Sequence, residues 1–128
     1  MKTETLFMSA LAAASLSLAA PAFAHPKLVS STPAASTTVN APGRISLTFS
    51  ERLMPRLSGL EVSMSGMPGM TNHAPMKISN VTTAVAEDGK TLVATFARPL
   101  GAGTYKIDWH VVSADTHRIA GSFAFTVR

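Results

Sequence analysis

The chain has 128 residues, with 11 Lys and Arg against 7 Asp and Glu, 4 His, 7 Met and no Cys. Without cysteine there can be no disulfide and no thiolate metal ligand, so the fold must be held by core packing. The formal net charge is +4, but the basic residues are scattered and are not interleaved with aromatic residues. That distribution argues against nucleic-acid binding and predicts a solvated basic surface.

Residues 1–24 predict a secretory signal peptide. The apolar run LFMSALAAASLSLAA precedes PAFA, in which Ala22 and Ala24 form an A-x-A cleavage signal. The run is shorter than a membrane-spanning helix and is interrupted by serine. Cleavage after Ala24 would leave one domain, residues 25–128, with His25 at its start. No later apolar run reaches spanning length, so this domain is expected not to be embedded in a membrane.

The rest of the chain predicts about seven short β-strands. Five segments alternate apolar and polar residues with a period of two, as half-buried strands do: RISLTFS, LEVSMS, TLVATFA, GTYKIDWHVV and GSFAFTV. KLVSST and MKISNVTT are expected to add two more. Turn sequences such as EDGK and RPLGAG separate them. The pattern predicts an all-β fold, an Ig-like Greek-key sandwich or small barrel.

The segment MSGMPGMTNHAPM places a potential soft-metal ligand at every third position. These ligands are Met64, Met67, Met70, His73 and Met76. Thioether sulfur suits Cu(I) and binds hard cations poorly. In a threefold extended backbone, residues three apart share one face, so the spacing predicts convergence on one ion. The alternative is that methionines fill gaps in the core, which suits Met64 at the end of a strand better than the others. Glycine and proline make residues 65–75 a long loop.

The residue exposed by cleavage predicts a second kind of metal site. His25 would carry a free α-amine and an imidazole, which together can chelate one metal. Pro26 has no amide hydrogen, so its backbone nitrogen cannot join the coordination. The remaining ligands of a square-planar Cu(II) ion would therefore come from elsewhere in the fold. The alternative is a solvated terminus that merely begins with histidine.

A second histidine follows an aspartate in SADTHRIAG. Asp115 and His117 are two positions apart, so in an extended segment both side chains point to one side. Added to the His25 pair, they give three nitrogens and one oxygen, a set that matches tetragonal Cu(II). Taken alone, this motif fits an aspartate that caps a turn beside a surface histidine equally well.

Together these segments resemble the CopC family of periplasmic copper-binding proteins. The similarity covers HPKLVSSTP, LTFSE, the methionine segment and GTYKIDWHVVSADTHRIAG. It implies a small Greek-key β-barrel with copper sites at opposite ends. By position it assigns Cu(I) to the methionine segment and its histidine, namely Met64, Met67, Met70, His73 and Met76. It assigns Cu(II) to His25, Asp115 and His117.

Three positions depart from the family pattern. His110 stands where the pattern has arginine, Arg118 replaces a proline, and Met54 is a methionine not expected there. None of the three removes a proposed ligand. His110 is a candidate accessory ligand at the Cu(II) end, and loss of the proline is expected to loosen the segment that positions His117.

The resemblance implies a periplasmic, monomeric copper carrier in copper resistance or homeostasis, and not an enzyme. Its partners would be a CopD-like inner-membrane copper transporter or a periplasmic multicopper oxidase. The alternative function is a histidine-brace copper enzyme that cleaves polysaccharides oxidatively. A plain adhesion sandwich is a third reading, but it leaves the methionine segment unexplained.

Overall fold

The computed structural model describes residues 25–70 and 74–128. The predicted signal peptide, residues 1–24, lies outside the described residues. Within the described ranges the chain forms β1 (Leu28–Thr32), β2 (Thr38–Val39), β3 (Arg44–Phe49), β4 (Gly59–Gly66), β5 (Met76–Lys77), β6 (Val81–Val85), β7 (Thr91–Phe96), β8 (Gly103–Val112) and β9 (Arg118–Val127). One turn of 3-10 helix, Pro55–Leu57, lies between β3 and β4.

The strands form two sheets. One has four strands in the order β1-β3-β7-β6, and the other has five in the order β2-β9-β8-β4-β5. Paired strands run antiparallel, except that β2 runs parallel to β9. The predicted all-β sandwich is therefore confirmed. No helix in the described part of the chain has the length and apolar character needed to cross a membrane.

Two features of the strand prediction were wrong. The two-residue β2 was not predicted, because two residues are too few to show a period. The segment 76–83 was predicted as one strand, but it divides into β5 and β6. The division occurs because β5 pairs with β4 in one sheet, whereas β6 pairs with β7 in the other. Asn80, with φ of +59°, turns the chain between them.

The core lies between the sheets and is built from alternate residues of the strands. Its members are Ile45, Leu47, Phe49, Leu53, Leu60, Val62, Leu92, Ala94, Phe96, Leu100, Tyr105, Ile107, Trp109, Val111, Phe125 and Val127. The rings of Phe49 and Trp109 meet edge to face with centroids 5.1 Å apart, a favoured aromatic geometry. The buried Tyr105 hydroxyl donates to the Gly101 carbonyl at 2.7 Å, so burial leaves it satisfied.

The indole of Trp109 depends on a glycine in the neighbouring strand. Trp109 on β8 lies directly opposite Gly121 on β9. A Cβ atom added to Gly121 would lie 2.4 Å from Cζ2 of the indole, far inside van der Waals contact. The glycine therefore gives the ring a place to lie flat across the sheet and pack against Phe49.

We expect Gly121→Ala to destabilise the protein, because the added methyl group must displace the Trp109 ring. Overpacking of this kind costs about 1–3 kcal/mol, which should lower Tm by several degrees in a domain of this size. Tryptophan fluorescence during thermal unfolding reports both the stability and the new environment of the ring.

The matched control is Gly43→Ala, since a Cβ at Gly43 meets no atom within 4 Å. If both variants melt at the wild-type temperature, the close approach of Gly121 to Trp109 does not constrain the fold.

Candidate metal centre

The turn between β8 and β9 carries the predicted Asp115 and His117. It is closed by two backbone hydrogen bonds, from Ser113 N to His117 O at 2.9 Å and from Thr116 N to Ser113 O at 2.8 Å. Ser113 is only 1% exposed. Thr116 has φ of +74°, a left-handed conformation that a β-branched residue adopts only when its surroundings force it. The turn is therefore held in one conformation that places both predicted ligands at the end of the domain.

Asp115 contacts His117 directly. The Nδ1 atom of His117 lies 3.0 Å from Oδ2 of Asp115, and both side chains are about one-third exposed, at 35% and 36%. A carboxylate at Nδ1 fixes the imidazole tautomer with its proton on that nitrogen and makes Nε2 the basic nitrogen. The aspartate therefore orients the histidine, which is the usual support for a histidine that binds a metal.

The hydroxyl of Ser113 donates to Oδ1 of Asp115. This hydrogen bond is the main reason that the pKa of Asp115 lies below its ordinary value of 3.8, with the His117 ring contributing in the same direction. Sequence reasoning missed Ser113. The S-x-D spacing ahead of the histidine was the available signal, because serine and aspartate two residues apart commonly bond within a turn.

His25 lies beside this turn, although it is about ninety positions away in the sequence. Its ring centroid is 4.7 Å from that of His117, with the two planes tilted by 58°. Pro26 is fully buried. Lys27 exchanges two hydrogen bonds with Ser50, each 2.9 Å long. These contacts fix the chain immediately after His25, so its position does not depend on a metal.

The structure thus places His25 beside His117, which is itself bonded to Asp115. They are not already arranged as a metal cage: within 25–70 and 74–128, no three His, Cys, Asp or Glu side chains are grouped as ligands around one point. The arrangement suits two imidazoles as ligands, with the carboxylate either supporting one of them or moving to join them.

His110, the candidate accessory ligand, lies in a cleft that adjoins the Asp115–His117 turn. It lines this cleft, which has a volume of about 520 Å³, together with Met54, Thr116 and Arg118. It projects from the outer face of β8, since its neighbours Trp109 and Val111 are core residues. The cleft also contains a second arginine, Arg56. Two nearby guanidinium groups make this cleft electrostatically poor for a metal cation.

The predicted loop over residues 65–75 is wrong for residues 65–70, which extend β4 and form a tight turn, named here the methionine hairpin. Residues 71–73 lie outside the described residues. β4 continues to Gly66, and Met67 and Met70 are joined by reciprocal backbone hydrogen bonds of 3.1 and 2.9 Å. Gly69, with φ of +78°, makes the turn possible. The expected threefold extended backbone is therefore wrong for residues 67–70, because a turn pairs these residues instead.

Four of the five predicted Cu(I) ligands are described, and they form two pairs. Met67 and Met70 face each other across the turn, are 42% and 54% exposed, and line one shallow pocket. Met64 pairs with Met76 across β4 and β5, but Met76 is 56% exposed whereas Met64 packs against the core. The fifth ligand, His73, lies outside the described residues.

The two groups of candidate ligands lie at opposite ends of β8. Gly66, next to the methionine turn, pairs with Thr104 near the start of β8. The Asp115–His117 turn follows directly after Val112 at its end. The strand has ten residues, so at about 3.3 Å per residue its ends are roughly 30 Å apart.

The fold and these groups define a class of protein, a single two-sheet β domain with a histidine–carboxylate turn at one end and a methionine hairpin at the other. The chain belongs to the CopC family, because the family model described as "CopC domain" matches residues 28–128.

Similar proteins carry names from the same family. The chain is 50% identical over 118 residues to copper resistance protein C of Xanthomonas campestris pv. juglandis, covering 92% of this chain and 91% of that one. It is 50% identical over 125 residues to copper resistance protein C of Pseudomonas syringae pv. tomato, covering 98% and 97%. Among solved structures, PcoC of Escherichia coli, described as a methionine-rich copper resistance protein, is 45% identical with a TM-score of 0.74, covering 82% of this chain and 100% of that one.

We expect the carboxylate of Asp115 to stabilise the metal-free turn in a pH-dependent way. Its pKa is lowered in the folded protein, so its stabilisation is present above the unfolded value near 3.8 and is lost as the pH falls through the folded value. Asp115→Asn should therefore lower Tm at neutral pH, and the difference from wild type should shrink in strongly acidic buffer. Thermal unfolding in the presence of a chelator, over a pH series, measures this.

Glu87→Gln serves as the control, since it removes a carboxylate from a different turn. If the difference in Tm between wild type and Asp115→Asn stays constant from neutral to strongly acidic pH, the ionised carboxylate does not have the stabilising role given to it.

Proposed function

We propose that this protein is a periplasmic copper carrier in copper resistance, with separate sites for Cu(II) and Cu(I). The observation that carries the proposal is the position of His25 beside the bonded pair of Asp115 and His117. Nitrogen donors with one carboxylate match Cu(II). Membership of the CopC family and relatives named for copper resistance support the same metal.

The Cu(II) site would be completed by removal of residues 1–24. In the uncleaved chain the nitrogen of His25 is an amide, which is a poor ligand. Cleavage after Ala24 would convert it to an amine, and the metal would displace its proton at modest cost. Because Pro26 is buried, the new amine would already lie close to His117. Three nitrogens and the Asp115 carboxylate would then surround the ion.

The Cu(I) site would be formed by the methionine hairpin. Met67 and Met70 offer two exposed thioethers held opposite each other, and Met76 offers a third in the adjoining strand. His73 would add an imidazole from the connection to β5. Met64 is the weakest candidate of the set, because its packing against the core restricts the movement of its sulfur. A d10 ion that tolerates three or four ligands suits such an exposed cluster.

Separation of the sites along β8 would give each oxidation state its own location. Exposed thioethers can be exchanged one at a time, which suits transfer of the ion to another protein. The proposed partners are a CopD-like inner-membrane copper transporter or a periplasmic multicopper oxidase. We propose that the protein carries the ion without chemical turnover and acts as a monomer.

In the mature protein, His25→Ala should weaken Cu(II) binding and leave Cu(I) binding unchanged, because it removes a nitrogen ligand from one end only. Loss of a residue that merely supports a metal ligand costs about 10- to 100-fold in affinity, so loss of a ligand should cost at least as much. Competition titrations with a Cu(II) chelator and a Cu(I) chelator measure the two affinities separately. Cu(II) quenching of Trp109 fluorescence gives an independent signal.

The matched control is His110→Ala, which removes an imidazole from the neighbouring cleft and should leave both affinities unchanged. Equal losses of Cu(I) and Cu(II) affinity in His25→Ala would contradict the separation of sites. Oxygen-dependent cleavage of a polysaccharide by the Cu(II)-loaded protein with added reductant would contradict the carrier function and would show that the protein is a copper enzyme.

The double variant Met67→Leu and Met70→Leu should weaken Cu(I) binding and leave Cu(II) binding unchanged. Leucine keeps the size and apolar character but lacks the sulfur, so Cu(I) affinity should fall by about tenfold or more. Both residues are exposed, so Tm should not change. Met54→Leu, at the other end of the domain, is the matched control. Unchanged Cu(I) affinity in the double variant would remove the hairpin from the proposed site.

A further inference from the structure

The cleft that contains His110 has the construction of a binding site for an acidic ligand. Its apolar side is formed by Met54, Leu57 and Val112, and its charged rim by Arg56 and Arg118. At about 520 Å³ it is large enough for one or two side chains of another molecule. Leu57 is 50% exposed in the free protein. A ligand would therefore cover apolar surface in addition to contacting the arginines.

One wall of the cleft is fastened to the sheet. The segment that carries Met54 and Arg56 is fastened to β8 by two hydrogen bonds, from Met54 N to Val112 O at 2.8 Å and from Val112 N to Ser58 Oγ at 3.1 Å. A Cβ on Gly59 would lie 3.2 Å from Cε1 of His110, so the imidazole leans over a strand with no side chain there. A preformed cleft loses little conformational entropy when it binds.

The arginines of the rim form no ion pair within the described part of the protein. Ion pairs on the same outer sheet face join Lys77 to Glu61 and Lys106 to Asp108. Neither Arg56 nor Arg118 has a carboxylate within ion-pair distance in the described ranges. Guanidinium groups bind carboxylates through two parallel hydrogen bonds, so two unpaired arginines on one rim favour an acidic ligand.

The cleft adjoins the proposed Cu(II) end. Thr116 lines it and lies between Asp115 and His117 in the sequence. All three departures from the CopC pattern, Met54, His110 and Arg118, also line this cleft. The cleft therefore lies where a protein that receives copper from His25 and His117 would approach.

We propose that this cleft docks an acidic segment of the copper-exchanging partner, in which carboxylates alternate with apolar side chains. The carboxylates pair with Arg56 and Arg118, and an apolar side chain covers Leu57 and Met54. The proposal rests on the carrier function for the identity of the partner, but the docking itself requires no copper. Binding to the cleft brings the partner's metal ligands next to the turn that carries His117.

The test uses the metal-free protein and the acetylated, amidated peptide Leu-Glu-Leu-Glu as the probe. Titration followed by NMR should shift the side-chain signals of Arg56 and Arg118 and the amide of Thr116. The peptide Leu-Gln-Leu-Gln should not bind. Arg56→Gln combined with Arg118→Gln should weaken binding at least tenfold, since one hydrogen bond to a charged group is worth about that factor.

The matched control is Arg44→Gln combined with Arg98→Gln, which lowers the net charge equally but lies outside the cleft. Equal weakening in both double variants would show a general attraction to a basic protein and would overturn the proposal, as would absence of binding. The melting temperature of each variant shows whether weaker binding results from unfolding. If the double variant does not fold, the two single arginine variants are tested in its place. Because no metal is present, failure here leaves the copper-carrier function untouched, and failure of the copper titrations leaves the docking result intact.

An anionic membrane surface is the competing ligand. In sedimentation with phosphatidylglycerol vesicles, the same fraction of protein should bind for the Arg56/Arg118 double variant and for the Arg44/Arg98 control variant. If vesicle binding is strong and is lost only when Arg56 and Arg118 are replaced, the cleft binds lipid and the proposal of an acidic protein segment is wrong.

Discussion

The pairing of β8 with β9 is the interaction on which the rest of the structure depends. Ten consecutive residue pairs join the two strands, from Gly103–Val127 to Val112–Arg118. Their inward residues form much of the core, and because the chain has no cysteine, no disulfide supplements that packing. β4 pairs along the other edge of β8 and carries the methionine hairpin. A slip of one residue would turn every inward side chain outward and displace both groups of candidate ligands.

Much of this arrangement could be predicted from the sequence, because alternation along long strands is a strong signal. The segments from Arg44, Thr91 and Gly103 were all predicted as strands, and the structure has β3, β7 and β8 there. Short elements could not be predicted, since two residues carry no period. The division of 76–83 depended on which sheet each half joins, and that is a property of the whole fold.

The candidate ligands were predictable in type but not in geometry. The sequence identified Asp115 and His117 as neighbours, yet not that a hydrogen bond would join them or that Ser113 would hold the carboxylate. Likewise, the threefold spacing of Met67 and Met70 predicted an extended backbone with both side chains on one face, but the structure pairs their backbones across a turn with Gly69 in a left-handed conformation. The chemistry of a side chain can be read from its type, whereas its neighbours are set by backbone hydrogen bonds formed with distant segments.

The burial of Pro26 has a consequence for the order in which this protein matures. A peptidase needs an accessible, locally extended segment on both sides of the bond it cuts. In the folded domain the residues after Ala24 are already engaged, with Pro26 enclosed and Lys27 bonded to Ser50. If the leader is removed as predicted, the cut therefore belongs to the period before the sandwich closes. Folding would then enclose Pro26 directly behind the new terminus, and His25 could meet a metal ion only after that.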